Sequence, residues 1–407
     1  MYVTEIQTRI DQVSLDIEQQ KEVLKELERR KSALQRQLND VRDPIARLPL
    51  EISSDILLEC GLQDPTLLMN VCKRWFEIVE STPALWAEIR IEYPCPEGCR
   101  RRLDTWLQRA ASHPLHLTLP GSIDKDILAL FQKHSEQVKH LIILHQQRLP
   151  AQYHGYADTL LELGHWDPVS KLSSLRMLEL CRRGGALECS SDLILGLLSR
   201  TPNLVELVMD QIQIVGWHAE NASRVLLPKL RTTTYRQHLG DEILQMITAP
   251  RMETLGLPVQ NIDTERLFSF IQSHRTPPIR DLVIAGLTSF QSIYTSLALL
   301  TTLTHLETSR NYVAVLHPLF NRLLFYPASG LCHSISSISF AFEDWIPVLR
   351  DLPARCASRP HMHTKLFISS LRIGPDDLAA LKNYPSPVMV YVFIISVGDP
   401  QNILSIE

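Results

Sequence analysis

Ile45-Ala-Arg-Leu-Pro-Leu-Glu-Ile-Ser-Ser-Asp-Ile-Leu-Leu-Glu-Cys60, continued by Leu67-Leu-Met-Asn-Val-Cys-Lys-Arg-Trp-Phe-Glu-Ile-Val79 and closed by Thr82-Pro-Ala-Leu-Trp86, predicts three short helices in a compact module. Pro49 suits a first helical position, where its missing N–H needs no partner, and Glu51 complements the positive helix start. Gly61 stops that helix. Asp64-Pro65 repeats the cap-then-proline signal for a second helix, and Ser81-Thr82 before Pro83 gives it a third time. The apolar residues Ile45, Leu48, Ile52, Ile56, Leu57, Leu67, Leu68, Val71, Cys72, Trp75, Phe76, Val79, Leu85 and Trp86 fall on more than one face of these helices. A helix buries a single stripe, so the surplus must meet a second surface.

The order Leu48-Pro49-x-Glu51, Ile56-Leu57, Val71-Cys-Lys-Arg-Trp75 and Leu85-Trp86 resembles the F-box, over residues 45 to about 90. In that family the motif docks on the Skp-type adaptor of a cullin-RING ubiquitin ligase. The resemblance therefore implies a non-catalytic substrate receptor. Its adaptor contacts are expected at Leu48, Pro49, Ile52, Ile56, Leu57, Leu68, Val71, Trp75 and Trp86.

Ahead of the module, residues 3–41 carry a heptad. With Val3 at position a, the a series is Val3, Ile10, Ile17, Leu24, Lys31, Leu38 and the d series is Ile6, Val13, Gln20, Leu27, Leu34, Val41. Charges of both signs fill the other positions, with no proline before Pro44 and no glycine. The pattern is that of a coiled-coil helix, about 60 Å long. β-branched residues at a and leucine at the later d positions favour a two-stranded parallel coil, a homodimer through residues 3–41, although Gln20 and Lys31 weaken the seam. Folding back on a neighbouring helix of the same chain would satisfy the seam equally. Asp43-Pro44 ends the helix. The arrangement resembles fungal F-box proteins with a leading helix.

Beyond Trp86 the period changes to two. Glu88–Tyr93 alternates as a half-buried strand, and Leu103, Trp106, Leu107 and Ala110 make a helical stripe. Strands are predicted at Pro114–Leu119 and Val138–Leu144. An apolar-x-x-apolar-x-apolar register then recurs at Leu175–Leu180, Leu204–Met209, Leu230–Tyr235, Met252–Leu257, Ile279–Ile284, Leu303–Thr308 and Ile335–Phe340, with Thr233 and Thr308 as weak members. Taken from Leu178 to Ile338, the fourth positions are spaced by 29, 26, 22, 27, 24 and 32 residues. Helix-like stretches such as Asp241–Ile247, Asp263–Ile271 and Asp376–Leu381 lie between or after them. One strand and one helix every twenty to thirty residues is the mark of a leucine-rich-repeat solenoid. The Asn or Cys expected after the strand is absent from most units, so the likeness is to degenerate leucine-rich F-box proteins, over roughly residues 114 to 400. In a curved sheet of this kind Met177, Glu179, Glu206, Asp210, Arg236, Asp281, His305 and Glu307 would line the concave face and meet a basic or polar patch of a protein substrate.

The fold expected is thus α/β: a coiled-coil helix at 1–43, a three-helix F-box at 44–93, and a curved β/α leucine-rich-repeat-like domain at 94–407. A net charge of −4 over 407 residues argues against nucleic acid as the main partner. Eight scattered cysteines read as reduced thiols inside a cell, cytoplasmic or nuclear. The first residues do not read as a signal peptide, and the longest apolar run, Val388–Ile395, is far shorter than the roughly 20 residues that span a membrane. No nucleotide loop, G-x-S-x-G elbow or H-E-x-x-H appears, and no cofactor is expected. Cys95/Cys99 lack a second pair for zinc: Cys181 and Cys189 are too far apart, and His361 and His363 would be the only supplement. His145, His165 and His218 have no recognisable nucleophile beside them, so no enzyme is expected. The competing reading is a coiled-coil scaffold with no role in ubiquitination.

Overall fold

The computed structural model describes residues 2–42, 44–61, 64–92, 98–145, 156–158, 172–182, 187–216, 224–236, 242–257, 264–273, 277–285, 296–311, 335–342, 363–369, 388–393 and 403–406. Two compact units result, one built from residues 1–89 and 101–113, the other from 90–100 and 114–407.

The first unit opens with helix α1, Tyr2–Arg42, unbroken over 41 residues. Ion pairs Glu5–Arg9, Glu18–Lys21, Glu22–Lys25 and Glu26–Arg29 run along it at i,i+3 or i,i+4 spacing. Such exposed pairs add a few tenths of a kcal/mol each. After a 3-10 turn at Ile45–Arg47 come α2 (Leu50–Glu59), α3 (Pro65–Met69) and α4 (Lys73–Ser81), then a second 3-10 turn at Pro83–Trp86. The second helix expected from the sequence is therefore two. Cys72 is fully extended, with φ −157 and ψ 171, and breaks the run into α3 and α4. The expected third helix is a single 3-10 turn. Gly61 takes φ +59 just past α2, a left-handed conformation that suits glycine. Asp64 caps α3 by accepting from the Thr66 N–H at 2.9 Å, with Pro65 at the first helical position.

The core of this module holds Leu57, Leu68, Cys72, Ile78, Val79, Leu85 and Trp86. Two buried serines tie its parts together. Ser53 Oγ lies 3.1 Å from the Ile45 carbonyl and 3.0 Å from that of Pro49, while Ser54 Oγ and Thr82 Oγ1 are 3.0 Å apart. Helix α5, Cys99–Ala110, was expected in the second domain; from Arg101 onward it belongs to the first unit. Trp86 is completely buried, and its indole N–H donates to the Val79 carbonyl at 2.8 Å. Trp106 of α5 meets the ring edge-on with centroids 5.9 Å apart, and the Arg109 guanidinium stacks 4.5 Å from its centroid.

The second unit is a mostly parallel sheet laid down in chain order. Leu115–Pro120, Val138–His145, Met177–Arg182, Glu206–Asp210, Thr232–Arg236, Thr254–Leu257, Asp281–Ala285, His305–Asn311, Ser337–Phe342, His363–Ser369 and Val388–Phe393 each pair in parallel with the next. Ile403–Ile406 then adds an antiparallel strand. From Met177 to Phe342 every strand of this sheet starts two residues later than the register predicts. The leading apolar residues Leu175, Leu204, Leu230, Met252, Ile279, Leu303 and Ile335 are buried in the approach before the strand. In five of these cases the N–H closes an i−3 turn: Leu175, Leu204, Leu230, Met252 and Leu303 donate to Leu172, Thr201, Leu227, Ala249 and Leu300.

The fourth register positions form one continuous row across the sheet: Leu117, Leu141, Leu178, Leu207, Thr233, Leu255, Leu282, Leu306 and Ile338. Leu117 through Leu306 are all buried, which fixes the strand register because a one-residue slip would turn the row to solvent. Helices Lys125–Lys133 (α6), Ser191–Ser199 (α7), Ile243–Met246 (α8) and Thr264–Ser273 (α9) lie between strands; the predicted helix at 376–381 is outside the described residues. Among the described residues no helix is long and apolar enough to cross a membrane.

Candidate functional site

Ten residues of α2 separate into two faces. Ser53, Ser54 and Leu57 point inward. Ile52 and Ile56, one turn apart, stand on the opposite side with Pro49 just ahead of them, and all three are exposed. Leu67 on α3 is 60% exposed, and Val71 and Phe76 are open to solvent on and beside α4. Leu50 and Leu58 add to the exposed apolar surface of α2, while Leu48 and Trp75 are half-buried. Among the described residues, every exposed large apolar side chain except Leu226 lies either on α1 or in this module. Monomer surfaces rarely keep so many together without a partner.

Three residues expected in the adaptor contact stand elsewhere. Leu57, Leu68 and Trp86 are 1%, 3% and 0% exposed. They hold the module together and do not face outward. The contact set expected from the sequence omits Leu50, Leu58, Leu67 and Phe76, which are exposed here. Counting helical positions from the buried serines would have recovered Leu58 as a flanking residue but not Leu50, which shares their side of the helix and is exposed at its first position.

Charge frames the patch. Glu51, Asp55 and Glu59 are exposed at i,i+4 spacing on α2. On α4, Lys73 and Arg74 lie 3.8 and 3.6 Å from Glu77.

The residues expected to line a concave face occupy one side of the sheet. Cα register pairs Met177 with Glu206, Asp281 with His305, and Asp210 with Arg236. Met177, Glu179, Glu206, Asp210, Asp281, His305 and Glu307 are all half-exposed; the Arg236 side chain is outside the description. Thr254 donates to Asp281 at 3.2 Å, and the Cys181 thiol donates to Glu179 at 3.0 Å. At the start of the same row His116 and His140 stack with ring centroids 4.1 Å apart. Burial, then His116 and Lys139, push the His140 imidazole below its ordinary value. Among the described residues no group of three His, Cys, Asp or Glu is arranged to hold a metal ion. Cys95, His165, His218 and His361 lie outside the described residues.

Residues 45–92 match the F-box-like family. No curated protein matches the chain. The matched segment coincides with α2–α4 and both 3-10 turns, so the exposed apolar face belongs to an F-box-like domain. F-box domains bind Skp-type adaptors, which points to a role in ubiquitin ligase complexes.

Proposed function

We propose that this chain is the substrate-recognition subunit of a Skp–cullin–F-box ubiquitin ligase, working in the cytoplasm or nucleus. One observation carries the reading: the F-box-like segment is also where Ile52, Ile56, Leu67, Val71 and Phe76 leave apolar surface uncovered. The adaptor covers that surface. Burying each Leu or Ile contributes about 1.5–3 kcal/mol. Leu57, Leu68 and Trp86 support the interface from beneath by fixing the helices that present it.

The sheet-bearing unit, read as a leucine-rich-repeat-like domain, offers its half-exposed face to a protein substrate. Acidic Glu179, Glu206, Asp210, Asp281 and Glu307 with Met177, Arg236 and His305 suit a basic or polar patch. The chain performs no chemistry of its own; it positions a target for transfer by other subunits.

Adaptor pull-down with Ile52→Asp/Ile56→Asp tests the first half of the reading. Both side chains face outward, so the variant should keep its melting temperature and lose at least tenfold in adaptor affinity. Full retention of adaptor by the folded variant would sink the proposal. A second reading, a scaffold without ligase function, is favoured by the exposed seam of α1. Deleting residues 1–42 discriminates, because a scaffold loses assembly while a receptor keeps its adaptor.

A further inference from the structure

Nine apolar a and d residues of α1 (Val3, Ile6, Ile10, Val13, Ile17, Leu24, Leu27, Leu34 and Leu38) are all exposed, between 43% and 80%. The ion pairs along the helix are intrahelical and leave this seam open.

What covers it is encoded in the charge along α1. From Tyr2 to Gln20 there are four acids, Glu5, Asp11, Asp16 and Glu18, against Arg9 alone, a net of −3. From Lys21 to Arg42 seven bases stand against Glu22, Glu26, Glu28 and Asp40, a net of +3. The helix is neutral overall and polarised end to end. Side by side in parallel, two copies would set acid against acid and base against base; reversed, each half meets its complement.

We propose that α1 associates with α1 of a second copy as an antiparallel two-stranded coiled coil. The polar seam residues give the register. Placing Lys31 opposite Gln20 of the second copy lets the ammonium donate to the amide oxygen. The same alignment sets Leu24 against Leu27, Ile17 against Leu34, Ile10 against Val41 and Leu38 against Val13, all apolar. On the flank, Lys21 and Glu28, both at position e, come opposite one another. A parallel coil in register stacks Lys31 on Lys31 and Gln20 on Gln20 instead. β-branching at a favours parallel pairing, but a like-charged layer in the seam and two mismatched halves outweigh a preference among apolar side chains. This assembly is independent of adaptor binding.

Sedimentation equilibrium of the full chain tests it. Wild type should be a dimer at tens of micromolar, and Leu24→Asp/Leu27→Asp a monomer that still binds adaptor as well as wild type. Orientation is read by charge swaps. Lys21→Glu should weaken the dimer roughly tenfold, since two symmetric contacts become repulsive, and adding Glu28→Lys should restore it. A wild-type monomer at these concentrations overturns the proposal. Restoration by Asp16→Lys instead of Glu28→Lys also overturns it, because Asp16 at position g is the parallel mate of Lys21.

Discussion

Thr233 lies completely buried between Leu207 and Leu255 on neighbouring strands, and its Oγ1 has no hydrogen-bond partner among the described residues. Desolvating a hydroxyl without a partner costs about 1–3 kcal/mol. Thr233→Val keeps the shape and removes that cost, so chemical denaturation should show a gain of about 1 kcal/mol. His140 gives a second residue-scale expectation. Its depressed pKa means that the folded state favours neutral imidazole, so this stabilisation is present above pH 6.5 and is lost as pH falls through the lower folded value. The unfolding midpoint of wild type should therefore drop between about pH 7 and pH 5 more than that of His140→Gln. At this scale the site was half legible. The resemblance to the F-box placed Ile52 and Ile56 with Leu57 in one contact set, yet only burial tells the outward pair from the inward one. Ser53 and Ser54, which pin the module, carry no pattern that marks them as core.

Elements show where sequence periodicity succeeds and where it stops. The register located each main-sheet strand from Met177 to Phe342 because Leu178, Leu207, Leu255, Leu282 and Leu306 must be inside for the sheet to exist. It missed the short strands Leu187–Ser190, Ile212–Val215, Val225–Leu226 and Ile247–Thr248 that pair outside that sheet. It placed the main-sheet starts two residues early because a turn residue such as Leu204 is as buried as a strand residue. His363–Ser369 escaped it altogether. By pairing with Ile338, Thr364 fills the fourth position, and the first falls on His361, so the apolar signature is missing. The split into α3 and α4 was likewise invisible, since an extended Cys72 leaves no mark in hydropathy. The cap of α3 was read correctly and makes a prediction. Asp64→Ala frees the Thr66 N–H of a five-residue helix, so the module should lose about 1 kcal/mol. Adaptor affinity should fall with it, because α3 carries Leu67; calorimetry and a pull-down on one preparation would measure both.

For the whole molecule, unit boundaries decide what can be cut. A fragment ending at residue 93 removes Trp106 and Arg109, which cover the Trp86 ring from two sides. A fragment of residues 1–113 keeps them. Thermal melts should place the longer piece clearly higher, by several degrees for a loss of about 1–3 kcal/mol in a unit of this size. Strand order in the other unit has a consequence of a different kind. Since each strand bonds only to the sheet strands before and after it, in chain order, the sheet can assemble vectorially as the polypeptide leaves the ribosome, every completed edge templating the next. Ile403–Ile406, running the other way, lies along Val388–Phe393 and shields an edge that would otherwise recruit foreign strands. Replacing Ile403–Ile406 by glycines would then cost solubility before it cost fold.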